Sequence, residues 1–307
     1  MTRNGTVFPQ LAIVAIGTVK FLFPSALRVL RRGSAASLLL CMALAMGTAK
    51  LAAAGLSTDS PLDQGYRDMY NLQFEEAHRV FQNYQQTHPD DPLGPTSDAA
   101  ADVFAEFDRL GILQSEFFMD DEKFEKRHKP VPDPATAAHF RANIAKSQQL
   151  ADRILSSAPS NRNALFASVL NLGLQSDYLA LVEKRDVAAL GYTKRAGLKA
   201  KGLLAVAPDC YDAYLAIGVE NYILGLSPAP VRWLLRVYGA ETDKEAGIQR
   251  LQLTAEKGHY LCPFARLLLA VAALRDKHRE RAKGLLAGLA EEFPHNLLYK
   301  RELSRLQ

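Results

Sequence analysis

Pro263-Phe-Ala-Arg-Leu-Leu-Leu-Ala-Val-Ala-Ala-Leu274 begins the stretch of sequence that decides the fold. Proline is tolerated in the first turn of a helix, and the residues behind it are almost all apolar, so this run predicts a buried helix. The polar run 275–281 predicts a turn. A second helix then carries Ala282, Leu286 and Leu289 and ends before a proline. The stretch therefore predicts a hairpin of two helices.

The second helix of this hairpin has a residue spacing that recurs along the chain. A small residue is followed by a bulky one four positions on, by another three positions later, and by a proline five positions beyond that. The small residue lets two helices approach closely, and the bulky residues fill the space to the next hairpin. The spacing occurs at Ala282, Leu286, Leu289 and Pro294, at Ala77, Phe81, Tyr84 and Pro89, and, with a small residue in the first bulky position, at Ser147, Ala151, Ile154 and Pro159 and at Ala196, Ala200, Leu203 and Pro208; Ala246, Arg250 and Leu253 predict a further second helix that ends near Gly258.

This spacing resembles the second helix of the tetratricopeptide repeat. The segment after Pro208 is similar to the first helix of that repeat, W-x2-L-G-x2-Y, with Tyr214 in place of the tryptophan and Ile217-Gly218 in place of Leu-Gly. Asn221 departs from the usual tyrosine. The resemblance implies an all-α fold in which tetratricopeptide-like helical hairpins stack into an α-solenoid.

Residues 211–300 carry a narrower resemblance. Gly218-Val-Glu-Asn-Tyr-Ile-Leu-Gly-Leu-Ser-Pro228, Trp233-Leu-Leu-Arg-Val-Tyr-Gly239 and Asp243-Lys-Glu-Ala-Gly247-Ile-Gln-Arg-Leu251 are similar to a segment of the eukaryotic outer-membrane and inclusion-body-clearance tetratricopeptide family. That family implies an adaptor-like role without established catalysis, although a secretory leader departs from it. Most of the body also resembles uncharacterised bacterial exported tetratricopeptide proteins, a resemblance that implies no activity.

Two stretches interrupt the repeats. Residues 117–137 are charged and proline-rich, so they predict a linker between an N-terminal part, 55–116, and a helical array, 138–307. Residues 227–239 predict an inserted short helix that begins at a proline and ends at a glycine. Before the linker, residues 97–113 predict an extra amphipathic helix, whose apolar face carries Ala101, Phe104, Phe107 and Leu110.

The first 54 residues read as a leader. They contain six basic and no acidic residues, followed by a short apolar run and the small residues Ala52-Ala53-Ala54. This pattern predicts a secretory signal peptide cleaved near Ala54, and hence an exported or periplasmic protein. The length of the leader leaves alternatives open: translation from a later start near Val29, an organelle transit peptide, or an uncleaved membrane anchor formed within residues 11–54.

The charge of the remaining chain argues against nucleic acid as a partner. The whole chain has 37 basic and 33 acidic residues, so without the six basic leader residues the body has 31 and 33. A nucleic-acid-binding face needs clustered lysine and arginine, and none is evident. We therefore expect protein partners.

The sequence offers no catalytic constellation, and we expect no metal ion and no cofactor. It contains no H-E-x-x-H motif, phosphate-binding loop or nucleophile elbow. The acidic run 120–122 is followed directly by basic residues and predicts a solvated linker. The histidines are scattered, and we expect each to be solvated: His78, His88, His128, His139, His259, His278 and His295.

After export, Cys210 and Cys262 would be the remaining cysteines. They occupy equivalent positions in neighbouring repeats, about 10 Å apart, whereas a disulfide needs Cα atoms within about 7 Å. We therefore predict two semi-buried thiols, with a bridge as the less favoured alternative.

The tetratricopeptide resemblance implies a concave binding surface lined by the first helices. The predicted groove residues are Tyr66, Met69, Tyr70, Asn163, Phe166, Asp212, Tyr222, Phe264 and Arg275, with Leu215, Val219, Leu267 and Val271 between them. Such a groove is suited to an apolar or amphipathic helix, or to a segment of this same chain. The alternative is that several of these side chains belong to the core. The predicted function is a non-catalytic protein-interaction scaffold; a membrane-anchored accessory subunit of an envelope complex and an enzyme on a helical scaffold are the second and third possibilities.

Overall fold

A computed structural model describes residues 60–113, 131–226 and 242–306, and these residues are all-α, as predicted. They form eleven helices: α1 (Pro61–Tyr70), α2 (Phe74–Thr87), α3 (Leu93–Arg109), α4 (Pro134–Ser157), α5 (Arg162–Asp177), α6 (Asp186–Val206), α7 (Tyr214–Gly225), α8 (Lys244–Lys257), α9 (Cys262–Arg275), α10 (Arg279–Glu292) and α11 (Leu297–Arg305). A π-helical turn, Tyr178–Val182, extends α5, and a 3-10 turn, Tyr211–Ala213, precedes α7.

Side-chain caps fix where several helices begin. Ser60 and Asp63 form a capping box at the start of α1. The Ser60 side chain accepts the backbone N–H of Asp63, and the Asp63 side chain accepts the backbone N–H of Ser60. Asp133, Asn161 and Asp243 each accept backbone N–H groups at the starts of α4, α5 and α8. A cap of this kind contributes about 1 kcal/mol, so these polar residues mark the helix boundaries along the chain.

Helices that follow one another in sequence pack against one another. The recurring spacing falls on every second helix, from α2 to α10, and most of its small residues are buried. Ala77, Ala151 and Ala282 are completely buried, as are the bulky Phe81 and Leu289. The spacing therefore identified the helices whose small residues permit close packing.

Helix α8 is offset by one residue from the predicted spacing. Arg250 is exposed and Ala246 only partly buried, and the buried positions are Gly247, Leu251 and Thr254. A Cβ atom on Gly247 would lie 2.6 Å from the backbone nitrogen of Tyr222. The small residue at the contact with α7 is thus a glycine, and the prediction of Ala246, Arg250 and Leu253 was wrong by one position.

Helix α3 has the buried apolar face that the sequence predicts, but it is more deeply buried than an amphipathic helix with one polar face. It begins at Leu93 instead of Ser97, and its predicted apolar residues Ala101, Phe104 and Phe107 are buried. The opposite side is buried too, because α2 and α4 flank the helix and α5 also contacts it. Helix α3 is therefore a central helix, and its polar residues from Thr96 to Glu106 lie inside the protein.

The predicted interruptions fall largely outside the described residues. This applies to the leader, the inserted short helix at 227–239 and most of the linker at 117–137. The last four linker residues, 134–137, form the first turn of α4, so the helical array begins at Pro134 and not at residue 138.

The first and last hairpins are in contact. The Tyr70 hydroxyl donates to the carbonyl oxygen of Tyr260 at 3.0 Å, and the Asn296 side-chain amide donates to the carbonyl oxygen of Tyr70 at 2.8 Å. The rings of Tyr66 and Tyr260 stack with their centroids 4.7 Å apart. Helix α1 is thus held against the C-terminal helices, and the described helices surround a common interior.

Among the described residues, one helical stretch is long and apolar enough to cross a membrane, residues 162–182. More than half of its apolar window is buried within the protein. A buried core helix meets the same criteria of length and composition.

Candidate functional site

A central cavity of about 310 Å³ lies in the common interior. Its wall is built mainly of apolar side chains from α1, α3, α5, α6, α7, α9 and α11. Apolar residues that are only partly buried face it from three of the first helices of the hairpins: Leu170 and Leu174 of α5, Leu215 and Val219 of α7, and Leu267 and Val271 of α9. A concave, mostly apolar cavity of this size is typical of ligand- and peptide-binding sites.

The structure brings together most, but not all, of the predicted groove residues. The cavity is lined by Tyr66, Met69, Tyr70, Asp212, Tyr222, Phe264 and Arg275, together with Leu215, Val219, Leu267 and Val271. Asn163 and Phe166 line a separate depression. Seven of the nine predicted groove residues thus share one cavity wall, and the other two lie elsewhere.

Several of these residues belong to the core. Tyr66, Met69 and Tyr70 are at most 2% exposed, and Phe166 is 5% exposed. The hydroxyl of Tyr66 accepts a hydrogen bond from Ser97, and Tyr70 packs on Phe293. Among the predicted groove residues in the cavity wall, the accessible ones therefore lie on α7 and α9, where Tyr222, Phe264 and Arg275 are only partly buried.

Asp212 has a structural partner and does not face the cavity as a free charge. Its two carboxylate oxygens accept the backbone N–H groups of Tyr260 and Leu261, each at 3.1 Å. Burial raises the pKa of Asp212, and these backbone donors oppose that effect. The side chain therefore ties the turn before α7 to the segment that leads into α9.

A few polar groups remain in the cavity wall. Ser176 and Thr193 are 2.7 Å apart through their hydroxyl oxygens and both donate to the carbonyl oxygen of Ala189. Asp177 lies beside them, and burial raises its pKa to about 7. The hydroxyl of Tyr222 has no hydrogen-bond partner among the described residues, and burial raises its pKa to about 12. The cavity therefore offers a few polar anchors in an apolar surface.

A second cluster of functional side chains lies on α3. Asp98, Asp102 and Glu106 follow one another at intervals of four residues and are 1%, 3% and 1% exposed. Residues four apart share one face of a helix, so the three carboxyl groups form a buried row. Glu106 at the end of the row is paired with Arg109 and accepts the backbone N–H of Asp133 at 3.1 Å.

Two histidines from neighbouring helices meet the other two carboxyl groups. His78 of α2 places Nδ1 2.5 Å from Asp98 Oδ1, and His139 of α4 places Nδ1 2.9 Å from Asp102 Oδ2. Each histidine also approaches the other aspartate, at 3.7 Å for His78 and 3.6 Å for His139. We call His78, Asp98, Asp102 and His139 the histidine–aspartate cluster.

Polar side chains fix the cluster from outside. Asn143 and Gln85 donate to Asp98 Oδ2 at 3.2 and 3.1 Å. Burial raises the pKa of Asp102 to about 6, although His139 and His78 oppose the effect. For His78, burial lowers the pKa, but the hydrogen bond and charge of Asp98 outweigh it, so the pKa is raised overall. The carboxylates and imidazoles thus depend on one another for charge compensation.

The sequence prediction that all histidines are solvated was wrong for three of them. His78 and His139 belong to the cluster, and His259 Nε2 lies 2.8 Å from Oδ1 of the buried Asp63. The signal available in the sequence was the regular placement of acidic residues within an apolar helix, 98 to 106. The partners lie 20 and 37 residues away, and no local pattern reveals them.

Cys210 and Cys262 are both free and buried. Burial raises the pKa of Cys210 to about 11 and that of Cys262 to about 12. Both thiols are more deeply buried than the semi-buried positions that the sequence predicts, and burial holds them as neutral, poorly nucleophilic groups.

Comparisons with known proteins supply no relative. No protein-family model, curated protein or solved structure matches the chain.

Proposed function

We propose that this protein is a tetratricopeptide-like α-solenoid that acts as a non-catalytic binding scaffold and receives an apolar or amphipathic segment of a partner protein in its central cavity. The observation that carries the proposal is the cavity itself, with partly buried apolar side chains on α5, α7 and α9. Peptide grooves on helical scaffolds hold amphipathic helices through apolar anchors of this kind.

The packing of consecutive helices, with the recurring spacing on every second one, supports the proposal of an α-solenoid. Helices adjacent in sequence pack together, and the small residues of the recurring spacing are buried where they do so. Repeat proteins bind partners on the surface formed by one helix of each hairpin, and α5, α7 and α9 are the first helices of three successive hairpins.

A site-specific photo-crosslinker tests the proposal. Leu267 lines the cavity, whereas Leu198 is 72% exposed on α6, so the two positions form a matched pair of helical leucines. We expect a photoreactive phenylalanine at position 267, introduced in the native host, to give a discrete crosslinked protein whose attached peptide is apolar or amphipathic. Position 198 should not give this product. The same products from both positions, or crosslinks only within the chain, would contradict the proposal.

We further propose that the scaffold is exported and works in the periplasm or at an envelope membrane. The acid-free, basic leader before Ala54 supports this location. Sequencing the N-terminus of the protein isolated from its host tests it. A start near Gly55 supports export, whereas an intact leader favours a membrane-anchored accessory subunit.

A further inference from the structure

We propose that the histidine–aspartate cluster binds a divalent first-row transition-metal ion such as Zn²⁺, held by His78, Asp98 and His139 with Asp102 as a further ligand. This site is separate from the central cavity and does not depend on the proposed scaffold function. It would link α2, α3 and α4.

The ligand atoms already converge. One nitrogen of His78, one oxygen of Asp98 and one nitrogen of His139 all lie within 4.8 Å of one another. Ligand atoms around a tetrahedral zinc ion are about 3.3 Å apart, given metal–ligand distances of about 2.0 Å. Metal binding would require the histidine side chains to rotate, so that His78 Nδ1 leaves its 2.5 Å contact with Asp98 Oδ1.

The chemistry of the ligands selects the class of metal. Two imidazoles and two carboxylates form a mixed nitrogen–oxygen set, which suits zinc and its neighbours, whereas magnesium and calcium prefer oxygen ligands alone. Two neutral histidines and two ionised aspartates carry a charge of two minus, which one divalent cation neutralises.

Hydrogen bonds from neighbouring side chains support the proposed ligands, as is usual around metal sites. Asp98 is held by Asn143 and Gln85, and Gln85 in turn accepts a hydrogen bond from Lys146 at 2.8 Å. Outer hydrogen bonds of this kind orient metal ligands and tune their affinity. The aspartates are buried, but the side chains of His78 and His139 are 19% and 42% exposed, which leaves an entry path from solvent.

Cobalt titration of the metal-stripped full chain is the direct test. We expect one Co²⁺ ion per chain to produce visible d–d absorption that one equivalent of Zn²⁺ abolishes. The His78→Gln and His139→Gln variants should bind Co²⁺ about 100-fold more weakly or worse, because loss of a mere supporting residue costs about 10- to 100-fold. His259→Gln is the matched control, since His259 is 41% exposed and also lies against a buried aspartate, but the described part of the chain supplies no third ligand there.

Chemical modification of the unaltered chain keeps the test independent of how the variants fold. We expect Zn²⁺ to protect His139 from diethylpyrocarbonate while His259 reacts at the same rate, as read from peptide masses. The proposal is overturned if Co²⁺ gives no absorption, if both cluster variants bind it like the wild type, or if Zn²⁺ leaves the rate at His139 unchanged. The cluster would then be a pair of histidine–aspartate ion pairs.

Discussion

Among single residues, Asp177 in the cavity wall lowers the stability of the folded protein when its carboxyl group is ionised. Burial raises its pKa to about 7 from the usual 3.8, so the folded protein retains a proton there that the unfolded chain has already lost. The contribution of Asp177 to the free energy of unfolding therefore falls as the pH rises from about 4 to about 7, and it stays at the lower level above that range.

Replacing Asp177 with asparagine keeps the shape of the side chain and removes the charge. We expect Asp177→Asn to raise the free energy of unfolding by about 1–3 kcal/mol at pH 8, with the gain vanishing near pH 4. Urea unfolding at both pH values measures the effect. Asp90→Asn is the control, because the Asp90 side chain is 87% exposed and should show no such difference. A gain at pH 8 equal to that at pH 4 would mean that the charge of Asp177 is not the cause.

The histidines show what the sequence can reveal at this scale. The acidic residues of α3 are visible as a row in the printed sequence, but their partners come from two other helices. A histidine beside lysine and arginine in the sequence has the same local pattern whether it is solvated or paired. Assigning His78 and His139 required the packing of α2 and α4 on α3, which local spacing does not contain.

At the scale of helices, two glycines in second helices of the hairpins have opposite surroundings: one lies at a close helix crossing and the other faces open space. Gly247 lies where α8 crosses α7, and a Cβ atom there would come within 2.9 Å of the backbone oxygen of Gly218 and within 2.6 Å of the Tyr222 nitrogen. Gly284 lies in α10 with no atom within 4 Å of the corresponding position. Backbone atoms cannot move aside as a flexible side chain can.

We therefore expect Gly247→Ala to lower the free energy of unfolding by about 1–3 kcal/mol through overpacking. Gly284→Ala should raise it by about 0.5–1 kcal/mol, because alanine loses less backbone freedom in a helix. Thermal or urea unfolding of the two variants beside the wild type measures both signs. If both substitutions are stabilising, α7 and α8 do not cross as closely as described.

The same physics explains which helices the sequence could predict. Close crossings demand small residues at fixed intervals, so the second helices were found from their spacing alone. For α3 the spacing predicted the buried apolar face but not the burial of Asp98, Asp102 and Glu106, which pair with groups on other helices or far along the chain. In α8 the spacing was read one residue early, since alanine and glycine at 246 and 247 satisfy a small-residue pattern equally well.

At the scale of the whole molecule, the contact between the first and last hairpins is the feature that no sequence period could predict. It joins residues about 190 to 226 positions apart. In an open solenoid each repeat contacts only its neighbours, so a perturbation decays along the array. Here α1 rests against the C-terminal helices, and the two ends should be energetically coupled.

Asn296 is the residue on which this coupling can be tested. Its side-chain oxygen accepts the N–H of Leu298 at 3.0 Å, and its amide donates to Tyr70 of α1 at 2.8 Å. We expect Asn296→Ala to cost about 1–3 kcal/mol, since it removes a helix cap and leaves a buried carbonyl without this donor. Hydrogen exchange should quicken in both α11 and α1.

Asn161→Ala separates this coupling from the loss of a cap. Asn161 also caps a helix, through the N–H of Ala164, but it is exposed. Its loss should cost about 1 kcal/mol and quicken exchange in α5 without affecting α1. Both substitutions remove the same kind of helix cap. A difference between the two variants in the hydrogen-exchange rates of α1 therefore reports only the contact between the first and last hairpins. Equal exchange in α1 for both variants would mean that the ends touch without stabilising each other, as in an open array.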